Sequence, residues 1–540
     1  MKKLIYVILL AVGILVGAVS TMALRSPATE QMPPNQKLAI ATQIIENYYV
    51  EDVNSDTMIQ EAIIAMLKTL DPHSAYSTPA ETQELNQPLE GKFSGIGIQF
   101  NMLEDTVYVI QTTPGGPSEK MGIRPGDRII SANDTVIAGK KMINSDIIKV
   151  LRGPKGSVVN VKVKRADEPE LITFRLVRDD IPMYSVDAAY MVDDSTAYIS
   201  VTRFAESTAA EVRQAADSLA RHGMRNLVLD LSSNGGGYLG SAYELASEFL
   251  QKGDPVVFTK GLHTRPTYFN VERTGSIPVD RLVVMVDQYS ASAAEILSGA
   301  IQENDRGLIV GRRTFGKGLV QRPFPFPDGS MIRLTVSRYY TPSGRCIQKP
   351  YAKGKGEEYL LDMLNRYNSG ELWHEDSIHL DKSQAYYTLK NKRTVYGGGG
   401  IMPDLFVPVD TSRYTPYYRD LVAKGAIMKY VVNYIENNRE SLLKKYPTEE
   451  AFAKNFVPGQ ANIDGIIEQG TAAGVPFNQE QWNTSKDILL AIFKGLMTRD
   501  LYENGIYVRS TNPLSNDFNE AVRLINDPKR YYRLLEGVKK

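Results

Sequence analysis

The sequence has a single cysteine, few histidines and no excess charge of either sign. Cys346 alone cannot form an intramolecular disulfide, and no histidine lies near it to activate a thiolate. The five histidines do not fall in the context of a catalytic triad. Lysine plus arginine balances aspartate plus glutamate at 62 each, so no overall field attracts nucleic acid or anionic lipid. These features argue against disulfide-stabilised, thiol-dependent and nucleic-acid-binding classes of protein.

No group of side chains has the spacing of a good metal site. His374 and His379 lie near Glu375, Asp376 and Asp381, and a zinc ion could be imagined there. The wide histidine spacing and the polar surroundings favour a solvated surface loop instead. The sequence therefore predicts neither a metal ion nor any other cofactor.

Residues 1–24 have the pattern of an export signal. Lys2 and Lys3 precede a run without charge, and small residues follow up to Ala23. The run of about 16 to 20 apolar residues is intermediate between a signal-peptide core and a full membrane span. We therefore interpret residues 1–24 as a signal peptide or a membrane anchor. The chain is expected to be exported and periplasmic, either soluble or anchored to the inner membrane.

Extended apolar segments alternate with helical ones between residues 181 and 410. Residues 227–231 and 282–287 are two such strands, and each runs into a polar loop followed by a helical pattern. This alternation predicts a sheet covered by helices, with a functional site at the carboxyl ends of the strands. We expect residues 181–410 to form an α/β core.

Ser292 and Lys317 stand in two loops suited to nucleophilic chemistry. Ser292 lies near the start of a predicted helix, where free N–H groups and the helix dipole favour an alkoxide and an oxyanion. A lysine can act as its base if burial lowers the lysine pKa towards neutrality. Gly316 and Gly318 flank Lys317, so the backbone could pack closely around the amine. Taken alone, Ser292 is more typical of a helix N-cap than of a nucleophile.

A glycine-rich loop at residues 232–237 follows the strand 227–231. Its backbone N–H groups could converge on one point and bind an oxyanion, or a phosphate equally well. A glycine turn without any ligand is the simpler interpretation of this loop alone. The presence of Ser292 and Lys317 later in the same pattern favours the oxyanion.

Several motifs, in their order along the chain, resemble the carboxyl-terminal processing proteases, serine peptidases with a Ser–Lys dyad. Each motif is weak alone, but the ordered set is specific and covers roughly residues 70–405. The motifs are residues 71–76, a PDZ-like segment, and residues 230–237, 290–295, 316–318 with Gln321, 343–348 and 400–404.

The resemblance implies a role for five residues of this chain. Ser292 would be the nucleophile, Lys317 the general base, and Gln321 the residue that orients the lysine. The backbone N–H groups of Gly236 and Ala293 would form the oxyanion hole.

This chain departs from the family pattern at three positions. Ser232, Gly235 and Ala294 stand where the family commonly has arginine, proline and a third serine. These changes leave the backbone N–H donors in place. We expect the glycine loop to be more flexible than in the family.

Residues 91–180 contain short strands and resemble a PDZ domain, whose exposed sheet edge accepts a peptide as an added strand. The loop formed by Gly95, Ile96, Gly97 and Ile98 would bind a C-terminal carboxylate, next to an apolar site for the last side chain. We therefore expect protein or peptide substrates with apolar C-terminal tails. A small β-sandwich or barrel without a ligand is the alternative.

The segments on either side of these domains are predicted to be helical. Residues 36–90 have apolar helical faces, and His73 among them is interpreted as a structural histidine. Residues 351–392 are polar and are interpreted as a surface insertion that could cover the site. Residues 411–540 would pack on the core or pair with another subunit, which leaves a homo-oligomer open.

The sequence thus predicts an α/β serine protease core with an inserted PDZ-like β domain and helical N- and C-terminal segments. The predicted function is that of an exported endopeptidase that cleaves proteins near their C-termini through an acyl-enzyme. Three alternatives stay open: an inactive peptide-binding or chaperone-like module, a hydratase or thioesterase with the same oxyanion hole, and a membrane-tethered scaffold. The natural substrate, and whether the PDZ segment activates or inhibits the core, are not predicted.

Overall fold

The computed structural model describes residues 13–14, 32–165, 168–502 and 506–538. The chain divides into two compact units, Met1–Leu67 and Lys68–Lys540. Apart from residues 13 and 14, the predicted signal or anchor lies outside the described residues. Among the helices that the structure describes, none combines the length and the hydropathy needed to cross a bilayer.

Two amphipathic helices form most of the described part of the first unit, as predicted from their apolar periodicity. They are α1 (Pro34–Tyr48) and α2 (Ser55–Lys68). A proline at the start of α1 suits the first turn, where its missing N–H is not needed.

A short strand interrupts the segment that was expected to be wholly helical. Strand β1 (Ala75–Ser77) pairs with a strand of the core, and α3 (Pro79–Glu90) follows it. Thr78 and Glu81 form a reciprocal capping box at the start of α3, with N···O distances of 3.3 and 2.8 Å. Gly91, in the left-handed region at φ +69°, ends the helix.

The predicted PDZ-like domain is a six-stranded antiparallel sheet with two helices. Its elements are β2 (Lys92–Gly95), β3 (Ile98–Leu103), β4 (Thr106–Thr112), α4 (Pro117–Met121), β5 (Arg128–Ala132), β6 (Thr135–Val136), α5 (Asn144–Leu151), β7 (Val158–Lys164), β8 (Ile172–Val177) and β9 (Asp179–Pro182). The sheet order is β3-β4-β5-β7-β8, with β6 beside β5. The first and last strands, β2 and β9, pair with each other, so the domain enters and leaves the rest of the chain at one place.

The core contains two large sheets and one small two-stranded sheet. Its elements are β10 (Val186–Met191), β11 (Thr196–Val201), α6 (Thr208–Arg221), β12 (Asn226–Asp230), α7 (Leu239–Ser247), β13 (Pro255–Lys260), β14 (Thr267–Asn270), β15 (Arg281–Val286), α8 (Ala293–Glu303), β16 (Leu308–Gly311), β17 (Leu319–Pro325), β18 (Met331–Tyr340), α9 (Gly356–Leu360), α10 (Asp362–Asn368), β19 (Ala385–Tyr387), β20 (Thr394–Tyr396) and β21 (Leu405–Phe406). The main sheet has the order β10-β11-β12-β15-β16-β21 and is parallel from β11 onwards. The second sheet has the order β1-β18-β13-β14, with β17 beside β18.

The main sheet is buried on both faces, which explains its continuous apolar strands. Residues of α6, α7 and α8 pack on one face, and all eleven residues of α8 are buried. Phe518 and Leu524, from the C-terminal region, pack on the other face. The carboxyl ends of β12 and β15 are left to carry the functional loops.

The C-terminal region is helical, as predicted, and it packs on both the core and the PDZ-like domain. Its helices are α11 (Pro416–Ala423), α12 (Ala426–Lys445), α13 (Glu449–Asn455), α14 (Gln460–Ala472), α15 (Gln479–Leu501), α16 (Val508–Thr511), α17 (Asn516–Ile525) and α18 (Pro528–Leu535). Tyr108 of β4 packs against Val432 of α12 in a small apolar cluster. Ion pairs join Glu104 to Lys429 at 2.7 Å and Arg128 to Glu436 beside it. The predicted α/β core, PDZ-like domain and helical C-terminal segment are thus confirmed, and the N-terminal segment is helical apart from β1.

Candidate active site

Ser292 lies between β15 and α8 in a strained backbone conformation. Its φ of +56° is in the left-handed region that non-glycine residues rarely adopt. Its N–H donates to the Glu295 carboxylate at 2.9 Å, and its carbonyl accepts from the Tyr339 hydroxyl at 3.0 Å. The Ser292 hydroxyl makes no hydrogen bond to any residue that the structure describes. The backbone is therefore fixed while the hydroxyl remains available.

A cavity of about 410 Å³ opens in front of Ser292. Helix α3, the glycine loop 235–237, the Lys317 loop and the β17–β18 hairpin form its walls. Much of the lining is apolar, including Leu85, Leu239, Ile296 and Met331. The cavity has the size and mixed character of a site for a peptide side chain.

Lys317 lines the same cavity and is largely withdrawn from solvent. Burial, followed by the positive charge of Arg333, lowers the pKa of Lys317, while the charges of Glu295 and Asp71 oppose this shift. Across the described residues, no hydrogen bond or ion pair is made by its amine. An unpaired, desolvated lysine is suited to lose its proton and act as a base.

Glu295 connects the Ser292 loop to the Lys317 loop. Its fully buried carboxylate accepts from four donors: the N–H groups of Ser292, Gly316 and Lys317 and the hydroxyl of Thr314. The three N–H distances are 2.9, 2.7 and 2.8 Å. Burial raises the pKa of the Glu295 carboxyl, and these hydrogen bonds oppose the shift. Because every partner donates, the geometry fits the ionised carboxylate.

Gln321 belongs to a chain of hydrogen bonds that reaches residues 71–76. Its amide nitrogen donates to the Thr335 hydroxyl at 3.2 Å, and that hydroxyl donates to Asp71 at 3.0 Å. Asp71 also accepts from the N–H groups of His73 and Ser74, at 2.9 and 3.0 Å. The side-chain carbonyl oxygen of Gln321 has no partner among the described residues, so it remains available to an amine.

His73 lies close to this chain but in a neutral state. Its Nε2 is 2.9 Å from the Tyr359 hydroxyl, and the two rings meet edge to face. Burial, followed by the positive charge of Lys317, lowers the pKa of His73 to about 4. A neutral imidazole with a fixed partner agrees with the structural role expected from the sequence.

The glycine loop lies directly against Ser292. A Cβ on Gly236 would stand 2.8 Å from the Ser292 Cβ and 3.0 Å from the Ala293 nitrogen, so glycine is required there. The Ala291 N–H donates to the Asn234 carbonyl at 2.9 Å, which joins the two loops. The predicted oxyanion-hole residues, Gly236 and Ala293, are therefore neighbours.

The two predicted oxyanion donors differ in availability. The Ala293 N–H has no acceptor within the described part of the chain. The Gly236 N–H instead donates to Oδ1 of Asn234 at 2.9 Å. In this conformation one donor is free and the other is occupied by a neighbouring side chain.

The polar segment 351–392, expected to be a surface insertion, packs against the loop that carries Lys317. The Arg366 guanidinium donates to the carbonyl oxygens of Arg313 and Thr314 at 2.6 and 3.1 Å. Arg313 and Arg366 also share the Glu371 carboxylate, at 2.7 and 2.8 Å. The insertion thus fixes the position of the lysine loop, a function that its polar composition did not indicate.

The structure brings the predicted residues into two separate places. Ser292, Lys317, Gln321, Gly236 and Ala293 all line the cavity in front of Ser292, the candidate catalytic cavity. A second groove, of about 370 Å³, lies on the PDZ-like domain. Among the predicted peptide-binding residues, Ile96, Gly97 and Ile98 line this groove. Gly95 instead lies in β2 and pairs with Asp179.

Sequence reasoning missed Glu295, Asn234 and Arg333. A signal existed for Glu295, because a serine followed three residues later by glutamate is the spacing of a capping box. Asn234 and Arg333 have no comparable local signature.

Family models match most of the chain in separate segments. The model for peptidase family S41 matches residues 195–354, and a PDZ domain model matches residues 94–176. The model of the activating protease CtpB N-terminal domain matches residues 18–82. A family of unknown function matches residues 417–503.

Individual proteins are also similar to this chain. Carboxy-terminal processing protease CtpB of Bacillus subtilis is 33% identical over 365 residues, which are 66% of this chain and 74% of that protein. Carboxy-terminal processing protease CtpA of the same organism is 31% identical over 344 residues, 62% of this chain and 73% of that protein. Among solved structures, a photosystem II D1 C-terminal processing protease aligns at 27% identity and a TM-score of 0.34, covering 58% of this chain and 91% of its own.

We predict that Glu295→Gln destabilises the core. The amide keeps the shape of the side chain but replaces one accepting oxygen with a donor that faces N–H groups. We expect the free energy of unfolding to fall by about 2–3 kcal/mol, the scale of lost hydrogen bonds to a charged group. The urea midpoint followed by circular dichroism measures this change.

Glu244→Gln is the matched control, because Glu244 is exposed on α7. A Glu295→Gln midpoint equal to that of the control would contradict the role assigned to the buried carboxylate.

Proposed function

Because this chain belongs to the carboxy-terminal processing proteases of peptidase family S41, we propose that Ser292, Lys317 and Gln321 are its catalytic residues. One observation carries the proposal: an unpaired lysine with a lowered pKa and a serine hydroxyl without a partner line the same cavity. A serine peptidase needs a nucleophile and a base, and this pair supplies both.

In the proposed mechanism the Ser292 hydroxyl attacks the scissile carbonyl carbon while the neutral Lys317 amine takes its proton. The tetrahedral intermediate collapses, Lys317 gives the proton to the leaving amine, and an acyl-enzyme forms. Water then attacks the ester while Lys317 takes its proton, the bond between the acyl carbon and the Ser292 oxygen breaks, and Lys317 returns the proton to Ser292 as the product acid leaves. The free carbonyl oxygen of Gln321 would accept a hydrogen bond from the amine and hold it towards the serine.

The proposed oxyanion hole needs two donors on the developing negative charge. The Ala293 N–H is available without any change. The Gly236 N–H would first have to leave the Asn234 side chain, to which it is bonded at 2.9 Å. We propose that a bound carbonyl oxygen replaces this amide oxygen, because the oxyanion is the stronger acceptor.

We further propose that the PDZ groove holds the substrate's C-terminal tail. Ile98 and Phe100 on β3 and Ile148 on α5 form an apolar lining beside Gly97. An extended tail would pair with β3 as an added strand and place its last side chain on this lining. Cleavage near a C-terminus follows if the same chain continues into the catalytic cavity.

The location and assembly of the protein belong to the same proposal. The two lysines and apolar run within residues 1–24 support export to the periplasm, as a soluble protein or one anchored to the inner membrane. Leu38, Ile44 and Tyr48 of α1 are exposed apolar side chains, which supports assembly into a homo-oligomer.

Ser292→Ala is predicted to abolish peptide cleavage, because no other nucleophile occupies the proposed position. We expect kcat/KM to fall by a factor of about 10³ or more. Cleavage is measured by mass spectrometry, and a fluorophosphonate is expected to label the parent protein but not this variant. Ser298→Ala, in the same helix, is the control that should keep both properties.

Two results would contradict this assignment. One is undiminished cleavage by Ser292→Ala. The other is acyl-thioester turnover by the parent protein with no cleavage of any peptide, which would favour a hydratase or thioesterase.

The activity is predicted to depend on an ionisation of Lys317. Only the neutral amine is a base, so kcat/KM should be low below the lysine pKa, rise with pH through it, and then level off. Burial and Arg333 lower that pKa, so the rise should occur below the ordinary range of lysine. A kcat/KM profile from about pH 5 to about pH 10 measures it.

Lys317→Arg should be inactive throughout this range, because a guanidinium keeps its proton. His73→Gln should retain the rise, because the pKa of His73, at about 4, lies below it. An active Lys317→Arg variant, or a profile whose rise disappears with His73, would remove the lysine from its role.

Ile148→Glu is predicted to weaken tail binding at the PDZ groove. The charged side chain would occupy the apolar lining, and we expect the Kd of a peptide with an apolar C-terminus to increase at least about tenfold. Fluorescence anisotropy with the Ser292→Ala protein measures binding without cleavage. Val136→Glu, at an exposed position on β6 of the same domain, should leave the Kd unchanged. Equal Kd values for both variants would count against the groove.

A further inference from the structure

Arg333 is a cation without a partner inside the catalytic cavity. It lies on β18, between Ala75 of β1 and Pro323 of β17, and lines the cavity with Ser292 and Lys317. The side chain is half-buried. Within the described ranges, its guanidinium forms no hydrogen bond or ion pair.

Four arginines elsewhere in the core are paired with carboxylates at short distances. Their partners are Asp517 for Arg312 at 2.8 Å, Glu371 for Arg313 at 2.7 Å, Glu303 for Arg345 at 2.6 Å and Asp305 for Arg393 at 2.9 Å. A partly buried guanidinium loses hydration and recovers the cost through such pairs. Arg333 has no such pair among the described residues, and because it lines the cavity its guanidinium is free to bind a group from outside the chain.

The carboxylates near the cavity are occupied by other donors. Glu295 accepts from four groups of the catalytic loops. Asp71 accepts from Thr335, from His73 and from the N–H and hydroxyl of Ser74. Of the described residues that line the cavity, two are cationic, Lys317 and Arg333, and none is acidic.

A second cation near the Lys317 loop is not available to a ligand. The amine of Lys349 pairs with Asp362 at 2.8 Å and stands 3.9 and 4.1 Å from the ring centres of Phe315 and Tyr359. Arg333 is therefore the permanently charged group that the cavity presents to a bound peptide.

We propose that Arg333 is a specificity-determining residue, whose guanidinium binds a carboxylate of the substrate within the catalytic cavity. This inference rests on the proposed function of Ser292 and names the chemistry of the substrate at that site. The carboxylate belongs either to an aspartate or glutamate side chain near the scissile bond or to the C-terminus of the peptide itself. A planar guanidinium suits either source, because it can donate two parallel hydrogen bonds to a carboxylate.

The charge of Arg333 also acts on Lys317, and this effect must be separated from recognition. Burial first and Arg333 second lower the pKa of Lys317, which also lies near Glu295, Asp71 and His73. Loss of Arg333 would raise that pKa and reduce the rate for every substrate at neutral pH. Rates must therefore be compared at a pH well above the lysine pKa of each variant, where Lys317 is neutral and a change in its pKa no longer alters the rate.

The test uses matched peptides that differ only in one carboxylate. In one arm glutamate is replaced by glutamine at each position around the mapped scissile bond. In the other arm a free C-terminus is compared with an amide. This second arm is run in an Ile148→Glu background, because the PDZ groove would also select a free C-terminus.

The parent protein should cleave one carboxylate peptide about 10- to 100-fold faster, in kcat/KM, than its amide counterpart. Arg333→Gln should reduce this ratio to near one, mainly by slowing cleavage of the carboxylate peptide. Arg333→Lys should retain only part of the ratio. The positive charge remains, but an ammonium cannot donate two parallel hydrogen bonds to a carboxylate. Arg322→Gln, at an exposed position of β17, should leave the ratio unchanged.

The inference is overturned if the parent protein cleaves both members of every pair equally, or if Arg333→Gln keeps the parent ratio. If Arg333→Gln does not fold, Arg333→Lys decides, and an undiminished ratio in that variant overturns the inference. Failure of the proposed function gives a different result, with no labelling of Ser292 and no cleavage of any peptide. In that case the binding of the same peptide pairs is measured with the Ser292→Ala protein and with the Ser292→Ala, Arg333→Gln double variant. The inference is overturned if the Kd ratio of the amide peptide to the carboxylate peptide is the same in both proteins.

Discussion

The site depends on one buried carboxylate that forms no ion pair with any residue in the described part of the chain. Glu295 is fully buried, and its two oxygens accept from four donors on the loops that carry Ser292 and Lys317. Removing a carboxylate from water is costly, and charge-assisted hydrogen bonds offset that cost only if the donors are held in place. The requirement acts in both directions, because the donors fix the carboxylate and the carboxylate fixes the two loops. The strained φ of Ser292 is kept by this arrangement rather than by its own preference.

The same hydrogen bonds explain how Lys317 can lie near a glutamate and still have a lowered pKa, as its proposed role of base requires. A carboxylate close to an amine normally forms an ion pair and raises the pKa of the lysine. Here the lone pairs of Glu295 are directed at backbone N–H groups, including that of Lys317 itself, and its attraction for the amine is outweighed by burial and Arg333. The glutamate thus determines where the lysine stands, while desolvation and a neighbouring cation determine its protonation.

The sequence was most informative where the signal is local. Apolar alternation predicted the sheet core, and the motifs around Ser292 and Lys317 predicted residues that do line one cavity. It was least informative where contacts are distant along the chain. The polar composition of residues 351–392 predicted a segment exposed to solvent. Arg366 and Glu371 instead pair with each other and with the lysine loop, and their side chains are buried. Arg333 has the ordinary appearance of a polar residue alternating along a strand, and only its neighbours reveal that it lacks a partner. The engagement of Gly236 by Asn234 likewise depends on side-chain geometry that no sequence pattern specifies.

Helix α3 connects the cavity in front of Ser292 with the PDZ groove. Leu85 and Leu89 of this helix line the cavity, while Gln87 accepts a hydrogen bond at 2.9 Å from Arg152, which lines the groove. The PDZ-like domain also packs against α12, through the contact of Tyr108 with Val432 and nearby ion pairs. The hydrogen bond between Arg152 and Gln87 thus links the PDZ groove to α3, and α3 in turn forms one wall of the cavity that Ser292 lines.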